Sequence, residues 1–114
     1  MYYTYVIRCE DNSLYTGITN DLPRRMEEHF SKDPKKCAKY TKKHTAINLE
    51  AAWKSEDRKL ASKLEYNFKH ITKDQKESII KKNTLFKEFL PKLEYKSYKR
   101  LNKKELEEIK KEED

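Results

Sequence analysis

Five side chains of this 114-residue chain combine reactive chemistry with suggestive spacing: Tyr5, Tyr15, Arg25, His29 and Glu65. Tyr5 lies mid-run in an aromatic and β-branched stretch, and Tyr15 lies in a second such stretch, two residues before Gly17. If the two stretches pair, the phenols become cross-strand neighbours, an arrangement that serves a core as readily as a reaction. Arg25 and His29 are four residues apart, so a helix would project both from one face. An arginine and a histidine on one face cannot neutralise each other, whereas an anion such as phosphate between them would; a solvated face, or a histidine at the core edge, is the alternative. Glu65 stands between Leu64 and Tyr66 beside an apolar stripe, where a carboxylate loses hydration unless a cation meets it. Arg58, Lys69 or a bound metal would each do so.

These residues need a scaffold, and the pattern supplies an α+β one. Tyr2 to Arg8 and Ser13 to Ile18 read as strands joined by the polar turn Glu10-Asp11-Asn12. Asn20 and Asp21 are helix-capping types, Pro23 fits a first turn, and Leu22, Met26 and Phe30 have helical spacing, so a helix runs to about Phe30. Ser31 to His44 holds six lysines without period and reads as a basic loop; Ala46 to Trp53 reads as a third strand. From Glu56 or Asp57 the stripe Leu60, Leu64, Phe68 and Ile71 predicts a helix ending before Thr72. Thr72 and Gln75 have capping-box spacing and start another, to about Lys82. Leu85, Phe86, Phe89 and Leu90 fit one more helix before Pro91, and Asn102 would cap a charged helix from Lys103 to Glu113. The compact domain is expected at residues 1–90, with 91–114 a charged, helical extension and possible docking point for a protein partner.

Composition narrows the chemistry. One glycine rules out both GxGxxG and GxxxxGK[ST] phosphate loops. The apolar fraction of 35% implies a small core. No apolar run approaches a membrane span and no signal-peptide pattern opens the chain, so the expected location is cytoplasmic, away from membranes. Cys9 and Cys37 lack zinc-site spacing and read as reduced thiols. A net charge of +7 favours a polyanionic partner. The positive excess lies beyond residue 57, where 17 basic groups face 11 acidic ones. There Tyr95 and Tyr98 interleave with Lys92, Lys96, Lys99 and Arg100, either a stacking and phosphate-binding surface or a half-buried element with a solvated face.

In order and spacing, Tyr5-Val6-Ile7, Tyr15-Thr16-Gly17, Arg25 with His29, Lys39-Tyr40-Thr41 and Leu64-Glu65-Tyr66 resemble the GIY-YIG nuclease superfamily, particularly its small single-domain bacterial members. The resemblance covers residues 2 to about 82. It implies a three-stranded antiparallel sheet flanked by helices, and a metal-dependent endonuclease hydrolysing DNA phosphodiesters in repair or recombination, at branched, nicked or distorted structures. By the same resemblance Tyr5, matching the last residue of the first motif, positions or deprotonates the attacking water, and Tyr15 is the first tyrosine of the second motif, which also carries Gly17. Arg25 binds the scissile phosphate, His29 assists near the nucleophile, and Glu65 holds one Mg²⁺ (or Mn²⁺). Two departures stand out: the first motif, Thr4-Tyr5-Val6, lacks its glycine, and Ile18 replaces a lysine of the excision-repair branch.

The chemistry asks for those parts. Hydrolysis needs a nucleophile made from water, stabilisation of charge on the phosphate oxygens and relief for the leaving 3′ oxygen. A phenol is a poor base at neutral pH, so Arg25 and the metal are expected to lower the Tyr5 pKa. One carboxylate suits Mg²⁺, which keeps most of its waters. Lys32, Lys35, Lys36, Lys39, Lys42 and Lys43 of the basic loop suit backbone contact better than base reading. The competing reading is a non-catalytic nucleic-acid-binding module of the same fold.

Overall fold

The computed structural model describes residues 1–33 and 35–111. Strands β1 (Tyr2–Cys9) and β2 (Leu14–Thr19) form a hairpin. Its turn works because Asn12 accepts a left-handed φ of 67°, and the Asp11 carboxylate accepts from the Ser13 amide and hydroxyl at 3.0 and 2.6 Å. The pairing sets Tyr5 opposite Gly17 and Ile7 opposite Tyr15. β3 (Ala46–Ser55) pairs antiparallel on the other side of β1. A two-residue strand, β4 (Lys99–Arg100), pairs with Trp53 and Lys54, so the sheet has four strands in the order β2-β1-β3-β4 and not the expected three. Two residues offer no alternation for a sequence pattern to register.

The central strand β1 is buried on both faces, which explains its near-continuous apolar sequence. Tyr5, Ile7 and Cys9 pack with Leu49, Ala52 and Leu101 and with Leu22 and Met26 of helix α1 (Leu22–Phe30). Val6 and Trp53 pack on the other face with Leu64 and Phe68 of α3 (Arg58–His70) and Ile79 of α4 (Lys73–Lys81). A short α2 (Lys39–Lys43), whose Tyr40 packs on the α1 face, lies inside the segment expected to be loop. Capping fixes the helix starts: Asp21 accepts from the Arg24 amide, Asp57 from the Leu60 amide, and Thr72 with Gln75 forms the full capping box. No helix among the described residues is long and apolar enough to cross a membrane.

Residues beyond 90 join this core. A 3-10 turn at Asn83–Leu85 runs into a one-turn α5 (Phe86–Phe89), where one longer helix is expected. Leu93 and Tyr98 then enter the cluster around Trp53, and the Tyr98 hydroxyl donates to the Leu60 carbonyl at 2.8 Å. Tyr95 packs edge-on against Phe86. The Tyr95–Tyr98 stretch is thus core structure and not a base-stacking surface. Asn83 accepts from the Trp53 indole N–H at 2.9 Å, and Arg100 lies over the same ring while donating to the Ile79 and Ile80 carbonyls. Helix α6 (Lys103–Lys111) starts at Asn102, whose amide and side chain exchange hydrogen bonds with Glu105. Its Leu106 and Ile109 cover the α1 face of the core. The expected end of this helix at Glu113 lies outside the described residues.

Asn83→Ala leaves the buried indole N–H without its acceptor. Chemical denaturation should show a loss of about 1–3 kcal/mol, with a clear fall in Tm; an unchanged midpoint would mean that water replaces the amide at no cost.

Candidate active site

The site is built around one hydroxyl. The Tyr5 side chain rises from the middle of β1 and is 1% exposed. A Cβ added at Gly17 would stand 2.5 Å from the Tyr5 oxygen and 3.2 Å from Tyr15 Cε2, so the only glycine of the chain clears the volume that the phenol occupies. The four-residue spacing on α1 then brings Arg25 and His29 to it together: Arg25 Nε donates to the Tyr5 oxygen at 3.3 Å, and His29 Nε2 lies 2.8 Å away. Tyr15 shares this cluster, its ring 6.3 Å from that of Tyr5 and 5.3 Å from that of His29. The Tyr15 hydroxyl has no protein hydrogen bond among the described residues.

Donor counting fixes the protons. Guanidinium nitrogens only donate, so the Tyr5 oxygen accepts from Arg25; the Thr41 hydroxyl gives its one proton to the Ala38 carbonyl and so accepts from His29 Nδ1, which leaves Nε2 to accept the Tyr5 proton. That nitrogen is therefore bare and Nδ1 carries the imidazole proton. Nδ1 lies 3.2 Å from the hydroxyl of buried Thr41, which in turn donates to the Ala38 carbonyl at 3.2 Å. The resulting chain runs from Arg25 to Tyr5 to His29 to Thr41 to Ala38 and leaves neither imidazole nitrogen unpaired. His29, only 2% exposed, is held neutral: burial first, and the charge of Arg25 second, lower its pKa to about 4. The like-charge conflict between Arg25 and His29 is resolved in this way, with Glu28 pairing to Arg25 at 3.0 Å.

Burial raises the Tyr5 phenol above the ordinary tyrosine range; the Arg25 hydrogen bond opposes this, and the nearby charges of Tyr15 and Glu65 add to it. The expected lowering rests on Arg25 together with a metal. Arg25 does act in the lowering direction, but desolvation outweighs it, so Tyr5 stands as a neutral phenol at neutral pH.

Glu65 is half-buried on α3, near enough for its charge to act on Tyr5, and its partner is Lys69 at 3.4 Å on the same helix. Arg58 does not pair with it. Among the described residues no three His, Cys, Asp or Glu side chains converge. One accessible carboxylate fits a hard, hydrated cation that takes its remaining ligands from water and substrate phosphate, and fits neither zinc nor a two-metal centre. Lys35, Lys36, Lys39, Lys42 and Lys43, like Lys32, are all exposed. Lys32 and Lys42 line a hollow of about 280 Å³ that reaches His29, Cys37 and Thr41.

Sequence reasoning gave no role to Thr41, Tyr40 or His44. Tyr40 stacks on Tyr15 at 4.6 Å and His44 on Tyr40 at 4.4 Å, so an aromatic column extends from the cluster. His44 is anchored on Asp11 of the hairpin turn at 2.8 Å. The available signal was the spacing of Cys37, Ala38, Tyr40 and Thr41, three and four apart among lysines, which gives one inward face to an otherwise basic turn.

The profile of the GIY-YIG catalytic domain matches residues 1–84. The UPF0213 protein FN1575 of Fusobacterium nucleatum is 44% identical over 85 residues, covering 75% of this chain and 82% of that protein. The UPF0213 protein YsiG of Lactococcus lactis is 36% identical over 104 residues, covering 90% and 97%. The solution NMR structure of the UPF0213 protein BH0048 from Bacillus halodurans is 36% identical, covers 71% of this chain and 84% of that one, and superposes with a TM-score of 0.46.

A titration tests the proton assignment. An imidazole held at a pKa of about 4 in the folded chain and near 6.5 in the unfolded one favours folding fully above pH 6.5. That contribution, about 3 kcal/mol, is lost as pH falls from 6.5 to 4, because the unfolded state takes up the proton first. Imidazole ¹⁵N shifts should show His29 protonated on Nδ1 alone down to about pH 4, and Thr41→Val should weaken that tautomer preference. Titration near 6.5, or a proton on Nε2 in the unaltered protein, would contradict the network.

Proposed function

The chain belongs to the GIY-YIG catalytic-domain family, and on that premise we propose that it is an endonuclease hydrolysing DNA phosphodiesters with a divalent metal, selective for branched or distorted structures in repair or recombination. The observation that carries this reading is the single Tyr5 hydroxyl held between a neutral imidazole acceptor and a guanidinium donor.

The division of labour follows from the free valences. Arg25 spends Nε on Tyr5 and one Nη1 bond on Glu28, so Nη2 has no protein partner among the described residues and is available to the oxygens of the scissile phosphate. Tyr5 has one oxygen lone pair left for a water proton. As that water attacks phosphorus, its proton passes to the Tyr5 oxygen while the Tyr5 proton moves to His29 Nε2. The bond from phosphorus to the 3′ oxygen breaks, and solvent protonates the leaving oxygen. Although a pKa of about 4 makes His29 a weak acceptor in the free protein, a phosphate on Arg25 offsets the charge that partly causes the depression. Thr41 keeps the imidazole in the accepting tautomer. Mg²⁺ or Mn²⁺ held by Glu65 would supply charge stabilisation to phosphate and leaving group. The exposed lysines of 32–43 add sequence-independent backbone attraction.

Incubation with fork, flap and linear DNA and Mg²⁺ tests the reading. The unaltered protein should cut the branched substrates in preference to the linear one. Arg25→Ala should lower the rate by about 10²- to 10³-fold, Tyr5→Phe by about 10²- to 10⁴-fold, and Glu65→Ala should remove the metal dependence together with turnover. No cleavage on any substrate, or cleavage unchanged in Tyr5→Phe and Glu65→Ala, would leave the non-catalytic binding module as the surviving account.

A further inference from the structure

A cleft of about 340 Å³ opens beside the Tyr5 cluster and carries charge that the reaction above does not use. Three guanidinium groups line it, Arg24, Arg25 and Arg58, against one carboxylate, Glu28. Glu28 is already divided, 3.4 Å from Arg24 and 3.0 Å from Arg25, and Arg24 also has Asp21 at 3.7 Å. Arg58 is exposed at the start of α3 and has neither a hydrogen bond nor an ion pair among the described residues. The remaining wall, which includes Ile18 and Asn20, is uncharged. An unpaired guanidinium beside two of like charge raises the local potential. An anion is the ligand that removes this repulsion.

We propose that this cleft is a second phosphate-binding site, in which Arg58 holds the backbone phosphate next to the one bound by Arg25. The identity of the ligand as a nucleic-acid phosphodiester rests on the nuclease reading; the excess of positive charge does not. Arg25 both lines the cleft and donates to Tyr5, so one side chain separates a phosphate in the cleft from the reacting oxygen. A guanidinium suits the task because its fork can take two phosphate oxygens at once. Two phosphates gripped on adjacent arginines fix the direction of the strand across Tyr5, which one phosphate contact cannot do. Arg58 makes no contact with Tyr5, His29 or Glu65 and acts by binding and orientation.

The test separates binding from chemistry. Anisotropy of a fluorescein-labelled flap oligonucleotide in EDTA, across a KCl series, gives Kd and its salt slope without turnover. Arg58→Ala should weaken binding roughly 5- to 20-fold at 0.1 M salt and make the slope of log Kd against log salt shallower by about 0.7 to 0.9, the value for one phosphate contact. The loss should be equal on unrelated sequences. Arg58→Lys should restore most of the slope but only part of the affinity. In cleavage assays Arg58→Ala should raise KM with kcat nearly unchanged, whereas Arg25→Ala lowers kcat. Identical slope and Kd in Arg58→Ala and the unaltered protein, or no DNA binding by the unaltered protein, overturns the second site. An Arg58 effect on binding with no cleavage by the unaltered protein would remove the nuclease reading and leave the site standing.

Discussion

The structure turns on a buried phenol that must be neighbour to a cation and an imidazole at once. The Tyr5 oxygen has three hydrogen-bonding valences, and two of them are committed, one to Arg25 and one to His29. That arrangement requires a register that places a glycine opposite Tyr5, a helix that begins soon after β2, and a four-residue spacing along that helix. It also requires something behind His29 to decide which nitrogen carries the proton. The short α2 meets that last need, because it brings the Thr41 hydroxyl to Nδ1 and binds the same hydroxyl to Ala38. A segment of mostly exposed lysines therefore contributes a structural contact to the site.

Charge in this protein is spent unevenly. Arg8 is structural: it ties β1 to Glu50 of β3 at 2.7 Å and to Glu77 of α4 at 2.5 Å. Arg100 is structural as well, its donors met by carbonyls of α4 and its face laid on Trp53. The guanidinium groups left unpaired or half-paired, those of Arg24, Arg25 and Arg58, gather around α1 and the start of α3. Lys35 and Lys36 share a groove with Arg24, Glu27 and Glu28, which adjoins the arginine cleft along α1. The proposed path of the nucleic acid follows this side of α1, beside the Tyr5 cluster.

Much of this was legible in the sequence, for reasons that are local. Capping chemistry at Asp21, Asp57, Thr72 and Asn102 marks four helix starts, because each side chain satisfies backbone donors within three residues. The hairpin follows from Asp11 and Asn12, and the closeness of Arg25 to His29 follows from helical geometry. What escaped was nonlocal or too short for a period. β4 exists through pairing with Trp53 and Lys54, and Tyr98 is buried because its hydroxyl finds the Leu60 carbonyl. The burial that raises the Tyr5 phenol is not legible either, because a cation can be named from sequence whereas the depth of burial cannot. Thr41 had no visible role because its value lies in a single contact across twelve residues.

The most direct measurement of the central claim is the pH dependence of kcat/KM for cleavage of a flap substrate, which reports the protonation state of the free protein. A neutral His29 accepting the Tyr5 proton predicts a profile that stays level from about pH 7 to pH 5 and falls only toward the pKa of about 4. An acid limb centred near 6.5, the value of an ordinary imidazole, would contradict the buried, tautomer-locked histidine and with it the proposed path of the proton.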